Sequence, residues 1–228
     1  DVYKRQAFTS DGIYTAPGGY LNTLYTKVRA AGGLCVADEV QAGFGRLGQH
    51  FWGFQFDDVV PDIVTLGKPM GNGHPLAAVV TRPEIAAALA RDTGYFNTFG
   101  GNPVSCAAGL AVLDVIEAED LQDNALEVGG YLIERFAALQ DQYPVIGAAH
   151  GAGLLLGLEI VKPDGSPYPE LADQIMNRLR ENGVLIGTTG PHYHVLKIRP
   201  PLVFQQEHAD ILLAALTKAL DEILNGSV

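Results

Sequence analysis

A lysine, an aspartate and a threonine-bearing turn stand where an α/β protein places its chemistry, at the carboxyl ends of strands. Lys68 closes the apolar run Asp62-Ile-Val-Thr-Leu-Gly67 and opens a loop that holds Pro69, Gly71, Gly73 and Pro75 and almost no other charge. An amine in such apolar, backbone-rich surroundings is favoured as a nucleophile toward a carbonyl, with which it forms an imine. Asp38 closes the run Leu34-Cys35-Val36-Ala37. An acid there can keep a pyridine-type nitrogen protonated, so that the ring draws electrons from an adjoining carbanion. The turn Thr98-Phe-Gly-Gly-Asn-Pro103, placed ahead of a helical stretch, offers a phosphate both backbone N–H groups and a hydroxyl. Singly, each has a plainer role: a cap or loop anchor for Asp38, solvated surface for Lys68, a tight turn for Thr98. Together they describe one imine-forming site.

Such groups need strands to carry them. Residues 17–32 open on Pro-Gly-Gly, space Leu21, Leu24, Tyr25 and Val28 helically, and stop at Gly32-Gly33. Residues 34–37, 62–66 and 76–81 are short continuous apolar runs of the kind found in buried strands. Helices are predicted at 83–91 and 105–118, the latter burying Leu110, Val112, Leu113, Val115 and Ile116. Alternation of this kind predicts an α/β fold with a mostly parallel sheet covered on both faces. From about residue 122 the texture changes. Helices at 124–141, 170–182 and 207–224 and strands at 154–160, 184–187 and 194–199 predict a smaller α+β unit. The expected boundaries are 7–122 and 123–228. Residues 1–6 fit nothing that follows and are read as a non-native remnant.

With 228 residues and a hydrophobic fraction of 47%, the chain can bury a sizeable core. A net charge of -11 argues against nucleic acid as a partner. No apolar run is long enough for a membrane span and no leader is visible, so neither a membrane nor a secretory route is expected. Cys35 and Cys106 read as buried free thiols of a reducing compartment, and the expected location is cytoplasmic.

Three linked segments resemble the class III pyridoxal-phosphate-dependent aminotransferases: Val36-Ala-Asp-Glu-Val-Gln-Ala-Gly-Phe-Gly-Arg-Leu-Gly48, Pro61-Asp-Ile-Val-Thr-Leu-Gly-Lys68 with its Gly-Asn-Gly-His-Pro-Leu extension, and Asn97-Thr-Phe-Gly-Gly-Asn-Pro103. The resemblance runs from about residue 14 to the end. It implies a fold-type-I enzyme and a homodimer, with pyridoxal 5'-phosphate as cofactor. By the same resemblance Lys68 is the Schiff-base lysine and proton carrier, and Asp38 the partner of the pyridine nitrogen. Val40 packs on the ring, Gln41 lies near its 3-hydroxyl, and Thr98 reaches the phosphate in the partner subunit. Arg199, in Lys197-Ile-Arg-Pro-Pro-Leu202, matches the arginine that binds a substrate carboxylate, a task suited to a bidentate guanidinium. The implied reaction moves an amino group from an amino acid or amine donor to a keto acid or aldehyde. The stretches 67–81 and 95–116 are most similar to the branch that holds alanine–glyoxylate aminotransferase 2 and amino-phosphate phospho-lyases, so elimination of phosphate from ethanolamine phosphate or phosphohydroxylysine is the alternative. The family's phosphate-cupping turn and ring-stacking aromatic lie upstream of the first matching segment, so the chain corresponds to roughly the latter half of such an enzyme.

His74, in the Lys68 loop, is read as ordering that loop. His192 and His194 alternate in a way that zinc could use, but no further ligand has matching spacing and no metal is expected. Phe44 and Trp52 are read as pinning their glycine-rich loop to the core.

Overall fold

The structure is a computed structural model that describes residues 2–5 and 11–226, with side chains from residue 11. Two compact units divide the chain. The first comprises residues 16–45 and 50–121 with the opening strand; the second comprises residues 11–15, 46–49 and 122–226. The break near residue 122 is where the sequence changes texture, but two short upstream segments belong with the later unit.

The first unit is built on a four-stranded sheet in the order β1 (Val2–Arg5), β2 (Leu34–Asp38), β3 (Ile63–Leu66), β4 (Ala78–Thr81). β1, β2 and β3 run parallel, and β4 returns antiparallel to β3. The link from β3 to β4 holds only a single 3-10 turn, Lys68–Gly71, and lacks the crossover helix that a parallel return needs. Val2–Arg5, set outside the fold by the sequence reading, lie as a strand beside β2, while Asp1 and Gln6 fall outside the described residues.

Helix α1 (Tyr20–Ala30) covers one side of β2, where Leu21, Tyr25 and Val28 pack with Cys35 and Val59. Asp57 accepts hydrogen bonds from Gly19 N and Leu21 N at 2.8 Å each, placing a carboxylate on the electropositive helix start. Buried Asp62 ties three elements together. It accepts from Cys35 N at 2.8 Å in β2 and from Arg29 Nε at 3.3 Å in α1, and it pairs with Arg82 at 3.3 Å just before α2 (Pro83–Asp92).

Helix α3 (Pro103–Ala118) begins at Pro103, its first turn capped by Asn102, whose Oδ1 accepts from Ser105 N at 2.9 Å. Its expected buried side is corrected: Ile116 is buried and Val112 half-buried, but Leu110 is 60% exposed, and Leu113 and Val115 are exposed too. The helix is apolar all round, so periodicity could not single out the covered stripe. Nor is the sheet covered on both faces by the described residues, since Val79 and Val80 of β4 are both exposed. Cys35 is a buried free thiol as expected, whereas Cys106 is exposed.

The second unit is a four-stranded antiparallel sheet ordered β5 (Ile146–Ala152), β6 (Leu155–Ile160), β8 (Val195–Ile198), β7 (Gly187–Thr189). Helices α4 (Leu121–Gln142), α5 (Pro169–Glu181) and α6 (Gln206–Asn225) contribute Leu132, Phe136, Ile175, Leu179 and Leu216 to one core with Leu156, Leu158 and Ile160 of β6. β5, Ile-Gly-Ala-Ala-His-Gly-Ala, was not expected, because small residues without alternation carry no strand signal. The strand expected at 184–187 lies later, at 187–189.

Candidate active site

In the register of β2 on β3, Asp38 pairs with Thr65, so the two side chains share a face of the sheet. Glu39 N then donates to Thr65 O at 3.0 Å, the last link between the strands before they part. Asp38 is 7% exposed, and its Oδ1 accepts from Val40 N at 3.1 Å. Three residues beyond Thr65, Lys68 begins the 3-10 turn with φ at 35°, in the left-handed region where a side chain is strained. The Val40 methyls stand over Gly67: a Cβ built there would meet Cγ2 at 3.8 Å. Asp38 thus ends β2, Lys68 lies two residues past the end of the parallel strand β3, and Val40 packs on Gly67. Lys68 is exposed and borders an open cleft of about 610 Å³ with Gly73, His74, Pro75, Leu76 and Ala77. Gln41 is half-buried in the turn that follows Val40.

Sequence reasoning passed over Thr65. Its Oγ1 is buried and has no hydrogen-bond partner among the described residues. A hydroxyl inside an apolar strand, three residues before a lysine and opposite an aspartate, was the signal. Glu39 was also passed over. It is buried, and its two carboxylate oxygens accept from Gly53 N at 2.8 Å and Phe54 N at 3.0 Å, closing the glycine-rich loop between β2 and β3. Burial pushes its carboxyl above the usual range, against the pull of those two amides. Trp52 packs edge to face on Phe44, centroids 5.2 Å apart, and on Phe51 inside that loop, and Phe44 and Phe51 pack at a tilt, as read from the sequence.

Thr98 is exposed in the turn before α3. Two of the amides expected to face a phosphate are engaged within the turn. Phe99 N and Gly100 N already donate to Asn97 Oδ1, at 3.2 and 3.0 Å. What Thr98 itself presents is its hydroxyl. The Lys68 loop and this turn are joined by His74, whose Nε2 lies 2.8 Å from Ser105 Oγ.

In the second unit Arg199 follows β8 and is exposed, bordering an apolar groove with Lys197, Phe204, His208 and Ile211. Arg46 donates to Pro200 O at 2.8 Å and to Leu154 O at 3.0 Å. Its guanidinium is pushed down to about 10, by burial first and by nearby Arg199 second. His150 Nε2 lies 3.0 Å from Glu159 Oε1, and the His192 and His194 rings lie 6.0 Å apart. Among the described residues no three His, Cys, Asp or Glu side chains are grouped to hold a metal ion, and no helix is long and apolar enough to cross a membrane.

Fold and site together define an α/β chain with an amine and a carboxylate at adjoining strand ends. Residues 9–220 match the family of class-III aminotransferases, and the chain belongs to it. It is 50% identical over 214 residues to an Arabidopsis thaliana mitochondrial alanine–glyoxylate aminotransferase 2 homologue, and 46% identical over 215 residues to the mitochondrial human alanine–glyoxylate aminotransferase 2. Each match takes in 93% of this chain but only 44% and 42% of the relative, so the chain spans less than half the length of these proteins. Among solved structures, an Arthrobacter phospholyase in complex with phosphoethanolamine superposes with a TM-score of 0.92 at 47% identity, over 96% of this chain and 53% of that one. The mitochondrial relatives overturn the expectation of a cytoplasmic protein, which rested on free thiols and the lack of a visible leader.

Proposed function

We propose that this chain supplies the lysine-bearing part of a pyridoxal-phosphate-dependent aminotransferase, which moves an amino group from an amino acid or amine donor to a keto acid or aldehyde. The observation that supports the reading is that Asp38 ends β2 while Lys68 opens the turn just past the end of its parallel neighbour β3. The residues present fit the cofactor. A buried carboxylate, a buried hydroxyl without a partner among the described residues and an amine all belong to one end of one sheet. When bound, the group supplies an electron-withdrawing ring that lowers the barrier to breaking a bond at the substrate's amino-bearing carbon.

The chain's own residues have separate tasks. Lys68 holds the cofactor through its amine, and its Nζ takes and returns the proton at the reacting carbon. Asp38 keeps the ring nitrogen protonated. Val40 limits the ring's position from one side, and Gln41 hydrogen-bonds its 3-hydroxyl. Thr98, exposed in its turn, gives its hydroxyl to a phosphate across a homodimer interface. Arg199 binds the substrate carboxylate at the end of β8.

Borohydride treatment of the full-length holoprotein, followed by peptide mapping, tests this reading. The mass of the reduced cofactor should fall on Lys68, and an unmodified Lys68 would end the proposal. The phospholyase relative favours a second reading, elimination of phosphate from an amino-phosphate. Release of inorganic phosphate from phosphoethanolamine with no keto acid present would select it over transamination.

A further inference from the structure

We infer that His74 is a positioning residue that sets the Lys68 loop against the turn bearing Thr98, acting through Ser105. This rests on the proposed role of Lys68.

Lys68 adopts a φ of 35°, which costs free energy unless its surroundings hold it there. The loop supplies little of its own support. Met70 N donates to Gly67 O, Asn72 N to Pro69 O and His74 N to Gly71 O, all contacts internal to the loop. Anchorage to the rest of the first unit comes from α3. His74 Nε2 meets Ser105 Oγ at 2.8 Å, and a methyl built on Gly109 would come within 2.7 Å of Leu76 Cδ2, so the loop rests directly on the helix.

Ser105 is itself held. Its Oγ accepts from Asn102 Nδ2 at 2.9 Å, and its N–H donates to Asn102 Oδ1. Asn102 Nδ2 also donates to Phe99 O at 2.7 Å, inside the Thr98 turn. A chain of side-chain hydrogen bonds thus runs from the Lys68 loop through His74, Ser105 and Asn102 to the residue next to Thr98. The Ser105 hydroxyl, with one donor and two acceptor sites, serves Asn102 and His74 at once. One bond fixes the spacing between the amine's loop and the phosphate-side turn.

The test uses the full-length protein with His74→Ala, Ser105→Ala, the double variant and His74→Gln. Three quantities are read: binding of pyridoxal phosphate to the apoprotein by equilibrium dialysis, hydrogen exchange of the amides of residues 70–74 and 76, and melting temperature. Each alanine should weaken cofactor binding about five- to ten-fold, the loss of one hydrogen bond. Each should also speed exchange in the loop and leave the melting temperature close to wild type. The double variant should match the weaker single, because both remove the same link. His74→Gln should recover most of the binding. Losses that multiply in the double variant, or unchanged binding and exchange in either single, would overturn the inference. Failure of Lys68 to label in the wild type would instead remove the proposed function, while the exchange measurement would still report the His74–Ser105 coupling.

Discussion

Asp38 and Thr65 stand opposite one another in the β2–β3 register with side chains on the same face of the sheet, one a buried carboxylate and the other a buried hydroxyl without a partner among the described residues. A hydroxyl left buried and unpaired costs about 1–3 kcal/mol. It is therefore not there for the stability of this strand. Thr65→Val keeps the shape and removes the oxygen. Its melting temperature should equal or exceed that of wild type, while the full-length protein should bind pyridoxal phosphate less tightly. A clear drop in melting temperature would mean the hydroxyl is paired and structural.

Asp38→Asn preserves the side-chain volume and an acceptor for the Val40 amide but removes the negative charge. The cofactor should remain bound, because Lys68 and the phosphate contacts are untouched. Turnover should fall on the order of 100-fold or more, the usual effect of deleting one group that stabilises developing charge. Single-turnover kinetics on the full-length protein would read this directly. Near-normal turnover would show that Asp38 does not face the ring nitrogen.

Asp62 carries the junction of β2, α1 and α2. Burial pushes its carboxyl up, but the Cys35 amide, Arg29 and Arg82 together outweigh this and hold it below the usual range. An acid depressed in the folded state stabilises above its unfolded value, about 3.9, and that contribution is lost as pH falls below it. Asp62→Asn should cost about 1.5–3 kcal/mol at pH 7, the range for hydrogen bonds to a charged group. Arg29 and Arg82 are too exposed to add much more. Denaturant titrations at pH 7 and pH 3 would check it: the gap between wild type and variant should narrow at the lower pH.

The strands that lead to Asp38 and Lys68 were legible because each is a short apolar run bounded by turn residues, and its length and flanking residues favour a strand over a helix. The Phe44–Trp52 loop packing was legible for a similar reason, since aromatics among glycines need a core to pack on. Less was readable where chemistry depends on contacts distant in sequence. Nothing local links His74 to Ser105 or Glu39 to Gly53. The covered stripe of α3 was misjudged because a helix apolar on every side has no preferred face. The amides of the Thr98 turn were expected to face a phosphate, and only the geometry of Asn97 revealed that those of Phe99 and Gly100 donate to its Oδ1.

His194 provides a second pH dependence, in the other unit and of different origin. It is 5% exposed, and its Nδ1 is buried without a partner among the described residues. Desolvation pushes its pKa down; Glu159 opposes this, and His192 and His150 add to it. The folded state therefore favours neutral His194. Below about 6.5 the unfolded chain takes up the proton first, so stability falls as pH is lowered. Wild type should be measurably less stable at pH 5.5 than at pH 7.5, and His194→Asn should flatten that difference. An equally steep decline in the variant would show that His194 is not its source.

Two adjacent glycines of α4 should respond in opposite ways to the same substitution. Alanine within a helix is favoured over glycine by about 1 kcal/mol. At Gly130 a Cβ would meet nothing within 4 Å, so Gly130→Ala should stabilise by close to that amount. At Gly129 a Cβ would lie 2.2 Å from Gly153 O, a backbone atom that cannot rotate away. Gly153 is itself constrained, with φ at 52° and a built Cβ only 2.4 Å from Arg46 O. Overpacking of this kind costs about 1–3 kcal/mol or more, enough to reverse the propensity gain. Gly129→Ala should therefore lower the denaturation midpoint while Gly130→Ala raises it. If both rise together, α4 does not sit as tightly on the 153 turn as the geometry requires, and the support of that turn for Arg46 and the Arg199 strand end would be weaker in proportion.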